Sequence, residues 1–259
     1  MDHLSYVLTN LVREQGSYRT VIVSSSYTES MPLPPEPVSR RDRPAKPPLS
    51  RRTILEAALT LIGERGVEAV TLRDVATVLN TGPASLYAYF RGRDVLLEHA
   101  LDEAYRGVEL VGAVDGEWRS ALAETIVNTI DALDAYPGLG SVALGTIPTL
   151  PGALRLAEHE LTLMAAGGIP DADAALAVDL IAQFVASTAV ERVVRDRSAV
   201  GEHREQDVFA VYAAADPDHF PRVGRLAAAL TEADERRRRD FAIHVIIAGL
   251  TSADEGDRR

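Results

Sequence analysis

The chain of 259 residues contains no cysteine, which excludes disulfides, thiolate zinc sites and thiol catalysis. It has no run approaching the roughly 20 uninterrupted apolar residues of a membrane span. It also lacks a basic-then-apolar leader, since Asp2 and His3 open the chain and Arg13 interrupts the first apolar stretch. A cytoplasmic location with no membrane partner is the expectation. Catalytic signatures are missing as well: there is no Gly-x-Ser-x-Gly elbow, no Gly-x-x-x-x-Gly-Lys loop and no His-Glu-x-x-His. His159-Glu160 is a single pair without a second ligand in register, so neither a metal site nor a cofactor is expected.

Against these absences, the stretch Thr71–Phe90 stands out. Leu72, Val75, Ala76 and Leu79 fall at i, i+3, i+4 and i+7, an apolar helical face. Thr71 with Asp74 three residues on resembles a capping box. Asn80 tolerates the left-handed conformation that ends a helix, and Gly82 then Pro83 suit the N-cap and first position of another. That second helix is short, with Leu86 and Phe90 inward. The others are small, hydroxyl or aromatic, several of them outward, and none is acidic. Such a surface suits phosphates and base edges. A helix-turn-helix with its second helix as reader is the expected unit, against an ordinary helical hairpin.

Charge agrees with that placement. The net charge is −11, which is unusual for a DNA binder until it is divided. Arg40–Val95 carries ten Lys/Arg against six Asp/Glu, a balance of +4, whereas the remainder has 17 against 32, or −15. Basic charge concentrates around the motif, and the acidic remainder is kept off the polyanion.

The flanks extend the pattern. After Ser50, Leu55, Ala58, Leu59 and Ile62 form one stripe ending near Gly66; beyond Phe90, Leu97, Leu101, Ala104 and Val108 form another. The segments Ile54–Ala58, Glu64–Gly66, Val70–Ala76, Leu86–Phe90 and Arg93–Leu97 together resemble the N-terminal domain of TetR-family transcriptional regulators. Ile62 and Val67 stand where aromatics are common in that family, and Asn80 where Gly is usual. The resemblance implies DNA contact by Thr71 and Arg73, by the reading helix, and by Arg93. The full expected set is Arg51, Thr71, Leu72 and Arg73, then Thr81, Gly82, Pro83, Ala84 and Ser85, with Tyr87, Tyr89 and Arg93.

Residues 1–49 form an extension. Leu4–Val12 is compatible with a short helix and Arg19–Val23 with a short strand. Residues 31–50 hold seven of the fourteen prolines with Arg40, Arg41, Arg43 and Lys46, a composition that favours unpacked conformations. The segment before Met31 has no counterpart in the family, so a translation start at Met31 is one reading. The helix-turn-helix domain is assigned to 50–95, a helical ligand-binding and dimerisation domain to 96–253, and a tail to 254–259.

In the second domain, helices are expected over Trp118–Ala135, Gly152–Ala166, Asp171–Arg197 and Asp234–Ser252, with 198–218 a surface loop. The last two are apolar around most of their circumference, which demands burial on every side. A second copy supplying two such helices satisfies this economically. Ile181, Val185, Phe241, Val245, Ile246 and Leu250 are the expected subunit contacts. Glu232, Asp234 and Glu235 precede Arg236, Arg238 and Arg239 by four, so that basic run reads as a solvated face with side-chain pairing.

Trp118–Leu122, Tyr136–Gly138, Gly152–Leu156, Asp216–Pro221 and Phe241–Leu250 are similar to the C-terminal domain of the tetracycline-repressor subgroup. The resemblance implies a repressor whose affinity for DNA falls when an unidentified small molecule binds. Its ligand and magnesium are not carried over. Large side chains suggest Trp118, Tyr136, Leu144, Met164 and Phe184 as pocket wall, with His99 and His159 to orient a ligand. The fold class expected is all-α. The function expected is a homodimeric repressor on a palindromic operator; an activator, a regulator governed by a protein partner and, remotely, a helical enzyme are the alternatives.

Overall fold

The computed structural model describes residues 9–14, 17–22, 49–114, 116–197, 201–231 and 234–256. The chain divides into two units, Met1–Pro34 and Pro35–Arg259. In the first, β1 (Thr9–Glu14) pairs antiparallel with β2 (Ser17–Ile22), Thr9 opposite Ile22 and Glu14 opposite Ser17. The strand expected near Arg19 therefore has a partner, and the helix expected over Leu4–Val12 is replaced from Thr9 onward by β1. The proline-rich stretch 31–48 lies outside the described residues.

The second unit is all-α. Three helices make the head: α1 (Arg51–Arg65), α2 (Leu72–Val78) and α3 (Pro83–Tyr87), with a 3-10 turn Val67–Ala69 between the first two. Capping sets their starts. Ser50 Oγ accepts the Thr53 N–H at 3.2 Å while Thr53 Oγ1 accepts the Ser50 N–H at 3.0 Å. Thr71 and Asp74 exchange the same pair of bonds at the start of α2, as their spacing predicts. Asn80 has φ 49°, the left-handed turn that lets α3 cross α2. Ile54, Ala58, Ile62, Val75, Leu86 and Phe90 close the head's core.

The body follows: α4 (Arg93–Arg106), α5 (Trp118–Asp134), α6 (Leu139–Gly145), α7 (Pro151–Ala166) and α8 (Asp171–Arg197). Then come α9 (Gly201–Ala213), α10 (Pro221–Arg225), α11 (Ala227–Thr231) and α12 (Glu235–Gly256). The loop expected over 198–218 is thus largely a helix, α9. Helix α12 also runs past Ser252 into the expected tail. Among the described residues, α8 is long and apolar enough to cross a membrane by length and composition, over Asp171–Arg195.

Helix α4 belongs to both regions: it packs on α1 and on α5, α6 and α7. A second tie joins them. Val67 N–H, just after α1, donates to Pro137 O at 2.8 Å. Gly138 beside it has φ 96° and sits so close that a Cβ there would lie 2.9 Å from Val67 Cβ, a place only glycine fills without strain.

The arginines of α12 are more than a solvated face. Arg236, exposed, meets Asp240 at 3.7 Å within its helix. Arg238, however, reaches Glu191 of α8 at 3.3 Å, and Arg239 lies 3.9 Å from Asp131 of α5. Arg192 of α8 pairs with Asp134 and, at 3.8 Å, with Glu235. Asp234 caps instead of pairing, accepting the Arg237 N–H at 2.7 Å. Ion pairs therefore stitch α12 to α8 and α5.

Candidate nucleic-acid interface and ligand body

The head presents one continuous outward surface. Arg73 and Thr77 stand on α2, and Gly82, Pro83, Ala84, Ser85 and Tyr87 on α3, all exposed; Thr81 is half exposed between them. Tyr87 is 55% exposed with its ring directed off the protein, leaving an amphipathic side chain for a phosphate or base edge. Thr71 is exposed too, with its hydroxyl engaged by Asp74. That hydroxyl, then the Thr71 N–H, hold the Asp74 carboxyl below its usual range.

Three expected contacts lie elsewhere. Leu72 is buried in the head core, because it opens the same apolar stripe that the sequence shows. Tyr89 is buried, and its hydroxyl donates to Leu49 O at 2.7 Å, pinning the start of α1. It lies past the end of α3, where helical phase no longer sets direction. Arg93 is turned inward: Nε donates to Val70 O at 2.9 Å and Nη2 to Val67 O at 2.7 Å. It locks the turn before α2, a positioning task. Arg51 is half exposed at the start of α1. The sequence reading missed Val78, exposed beside the reading helix; its place off the 72–75–76–79 stripe was the signal.

The seven residues expected around a ligand do not converge. His99 sits at the head–body junction with its ring 5.5 Å from Phe90, edge to face. It lines a cleft of about 560 Å³ with Arg52 and Glu56 of α1 and with Asp102, Glu103 and Arg106 of α4. Burial pulls its pKa below the usual histidine range. Tyr136 faces Gly63 and Glu64 of α1. Trp118 is packed on Gly167, where a Cβ would lie 2.3 Å from its ring, and Arg119 lies 4.8 Å over its centroid. Met164 is fully buried, Leu144 is exposed on the end of α6, and Phe184 is half-buried on α8. His159 is within 3.1 Å of Val111 O and 3.4 Å of Thr125 Oγ1.

The body interior holds a polar group that the sequence reading set aside. Glu160 of α7 is 3% exposed. Burial drives its pKa up to about 8. Tyr105 of α4 is buried near it, and its pKa is raised to about 12, first by burial and then by the Glu160 charge. A carboxyl buried this deeply is costly to ionise, and groups so perturbed concentrate at functional sites. In the sequence Glu160 figures only in the pair with His159, since a lone Glu on an apolar helix face carries no motif.

The family described as "Tetracyclin repressor-like, C-terminal domain" matches residues 113–253, and "Bacterial regulatory proteins, tetR family" matches 54–100. The chain belongs to the tetR family of bacterial regulatory proteins. It is a DNA-binding transcriptional regulator built from the helix-turn-helix head and helical body described above. The HTH-type transcriptional repressor DrrR1 of Streptomyces coeruleorubidus is 32% identical over 151 residues, covering 58% of this chain and 56% of that protein. The tetracycline repressor protein class A from transposon 1721 of Escherichia coli is 31% identical over 154 residues, 58% of this chain and 70% of that protein. Among solved structures, ActR of Streptomyces coelicolor in complex with actinorhodin has a TM-score of 0.75 at 29% identity. It covers 80% of this chain and 97% of ActR.

Proposed function

We propose that this tetR-family regulator is a homodimeric repressor that binds a palindromic operator and is released by a small molecule held in the body. The observation that carries the dimer is an uncovered apolar surface shared by α8 and α12, which pack on each other. Leu176 and Phe241 are 73% and 69% exposed, and Leu180, Val194 and Val245 are about half exposed. Ile246 and Leu250 flank them, half-buried. A surface of this kind is costly in water and marks an association site. Ile181 and Val185, expected in the same contact, are instead buried within their own chain. Both helices are apolar all round, but one half of each circumference is already spent on the monomer's core.

We read α8 as a subunit contact and not as a membrane span. Asp179, Gln183 and Glu191 interrupt its outer face, and Glu191 is tied to α12. The working location is then the cytoplasm, where operator DNA lies. A dimer places two reading heads on half-sites one helical turn apart, ~34–36 Å, or a multiple of it. The effector reading is supported by ActR, which is similar over most of its length and whose structure holds actinorhodin. Within this chain the polar anchor assigned to the effector is Glu160, with Tyr105 beside it. In the population-shift mechanism, effector favours a spacing of the heads that no longer matches successive grooves.

A gel shift on the DNA flanking this protein's own gene, run at several salt concentrations beside size-exclusion chromatography, tests the reading. Arg73→Ala and Tyr87→Ala should each weaken binding by about 1–3 kcal/mol, the scale of one lost base or phosphate contact, and leave the dimer intact. A monomeric protein that ignores every duplex offered at low salt overturns it.

A further inference from the structure

Helix α4 is where the head meets the body, and one residue on it makes a contact of an uncommon kind. Asp102 is 5% exposed. Its Oδ1 accepts the backbone N–H of Gly152 at 2.7 Å and that of Ala153 at 3.2 Å. Its Oδ2 accepts Arg106 Nε at 2.9 Å.

Gly152 and Ala153 lie in the first turn of α7, fifty residues on. The N-cap of α7 is Leu150, whose side chain has no oxygen, and Pro151 contributes no N–H. The first-turn donors of α7 would be orphaned without an outside acceptor. Asp102 supplies it from another helix, with its negative charge at the favourable end of the dipole. The approach is as close as atoms allow. A Cβ on Gly152 would lie 2.3 Å from the Asp102 carbonyl oxygen and 2.8 Å from Oδ1. Separating the two helices strips Oδ1 of both its donors and leaves two backbone N–H groups without an acceptor. Such a joint is closed or broken, with little between.

The same helix carries the head. Leu96, Leu97 and Ala100 are fully buried, and His99 meets Phe90. The cleft between α1 and α4 leaves room on the head's side of the joint.

We propose that Asp102 is a positioning residue that couples body to head. Clamped to the start of α7, it sets the direction of α4 and with it the place where the reading surface stands. The DNA part of the test rests on the repressor reading; the coupling itself does not.

The chain has no native cysteine, so Thr60→Cys on α1 and Glu158→Cys on α7, both exposed positions, take spin labels uniquely. Diluting labelled chains with excess unlabelled protein isolates the distance within one chain. The parent and Asp102→Asn, which keeps the Oδ1 acceptor, should give one narrow distribution. Asp102→Ala should broaden or shift it, and Gly152→Ala, which pries the contact open from α7, should do the same. Thr129→Ala is the control: it removes a buried hydroxyl bonded to Thr125 O inside α5 and should lower Tm without broadening. On DNA flanking the gene, Asp102→Ala should lose about tenfold in affinity, within the range of a coupling free energy, while Asp102→Asn stays near the parent. A lower Tm with an unchanged distance in Asp102→Ala overturns the proposal. So does Asp102→Asn behaving like Asp102→Ala, or equal broadening in Thr129→Ala. Broadening as expected, with no form binding DNA, sinks the repressor reading and leaves the coupling standing.

Discussion

The head and the body bury their apolar residues to different extents. In the head, the helices of residues 51–87 turn most of their apolar stripes inward, and Ile54, Ile62, Leu86 and Phe90 have no exposed surface at all. What remains outside is polar or small, apart from Val78 and Tyr87 on the reading side. The body closes an equally tight centre around Leu122, Ile126, Ile130 and Met164, yet leaves Leu176, Leu180, Phe241 and Val245 in water. A single chain therefore completes the head and leaves the body unfinished. Stability of the first is an intramolecular quantity; in the proposed dimer, stability of the second depends on protein concentration.

The strongest way to test that contrast is Phe90→Ala. Removing a fully buried ring costs about 3–5 kcal/mol, and the loss should fall on the head. Size-exclusion chromatography should still show the dimer while operator binding disappears; a monomer would mean that the regions are not separable. The converse is Leu180→Asp, which places a charge in the proposed subunit contact and should yield monomers with a folded head. An unaltered dimer at micromolar concentration, read by analytical ultracentrifugation, would discredit α8 as the shared surface.

A smaller effect separates the two regions by pH. Glu160 has a folded pKa of about 8, above its unfolded value near 4.5, so the fold keeps a proton that the unfolded chain releases. Stability is then full below about pH 4.5 and falls as pH rises toward about 8. Glu160→Gln should remove that slope, gaining on the order of 3 kcal/mol near pH 7 and nothing at pH 4. Parallel thermal melts of parent and variant across this window decide it, and parallel curves would refute the raised pKa. Smallest is Tyr89→Phe, which deletes one hydrogen bond to Leu49 O and should cost about 1 kcal/mol of head stability with operator affinity retained.

Much of this was legible in the chain. The capping pair Thr71/Asp74 and the breaks at Gly66, Gly167 and Pro170 place most boundaries, and α8 spans the Asp171–Arg197 that its pattern predicts. Helix α6 was hidden because Tyr136-Pro137-Gly138 reads as an end; left-handed Gly138 is also the N-cap of the next helix. Helix α9 was hidden because its sequence is too polar to show a stripe. On the site, periodicity names the reading surface but cannot orient Tyr89 and Arg93, which lie past the short helix. Nor can it tell which half of α8 serves its own chain: Ile181 and Leu180 are neighbours with equal hydrophobicity and opposite fates. Glu160 and Asp102 draw their meaning from helices fifty residues away, which no local pattern encodes.

The bond from Val67 to Pro137, with Gly138 against it, has a geometric consequence. Together with α4 it fastens the DNA-reading region at two separated points. An object held at two points can only rotate about the line between them. Its travel is a hinge angle, and a small tilt at the joint displaces the exposed face that carries Tyr87.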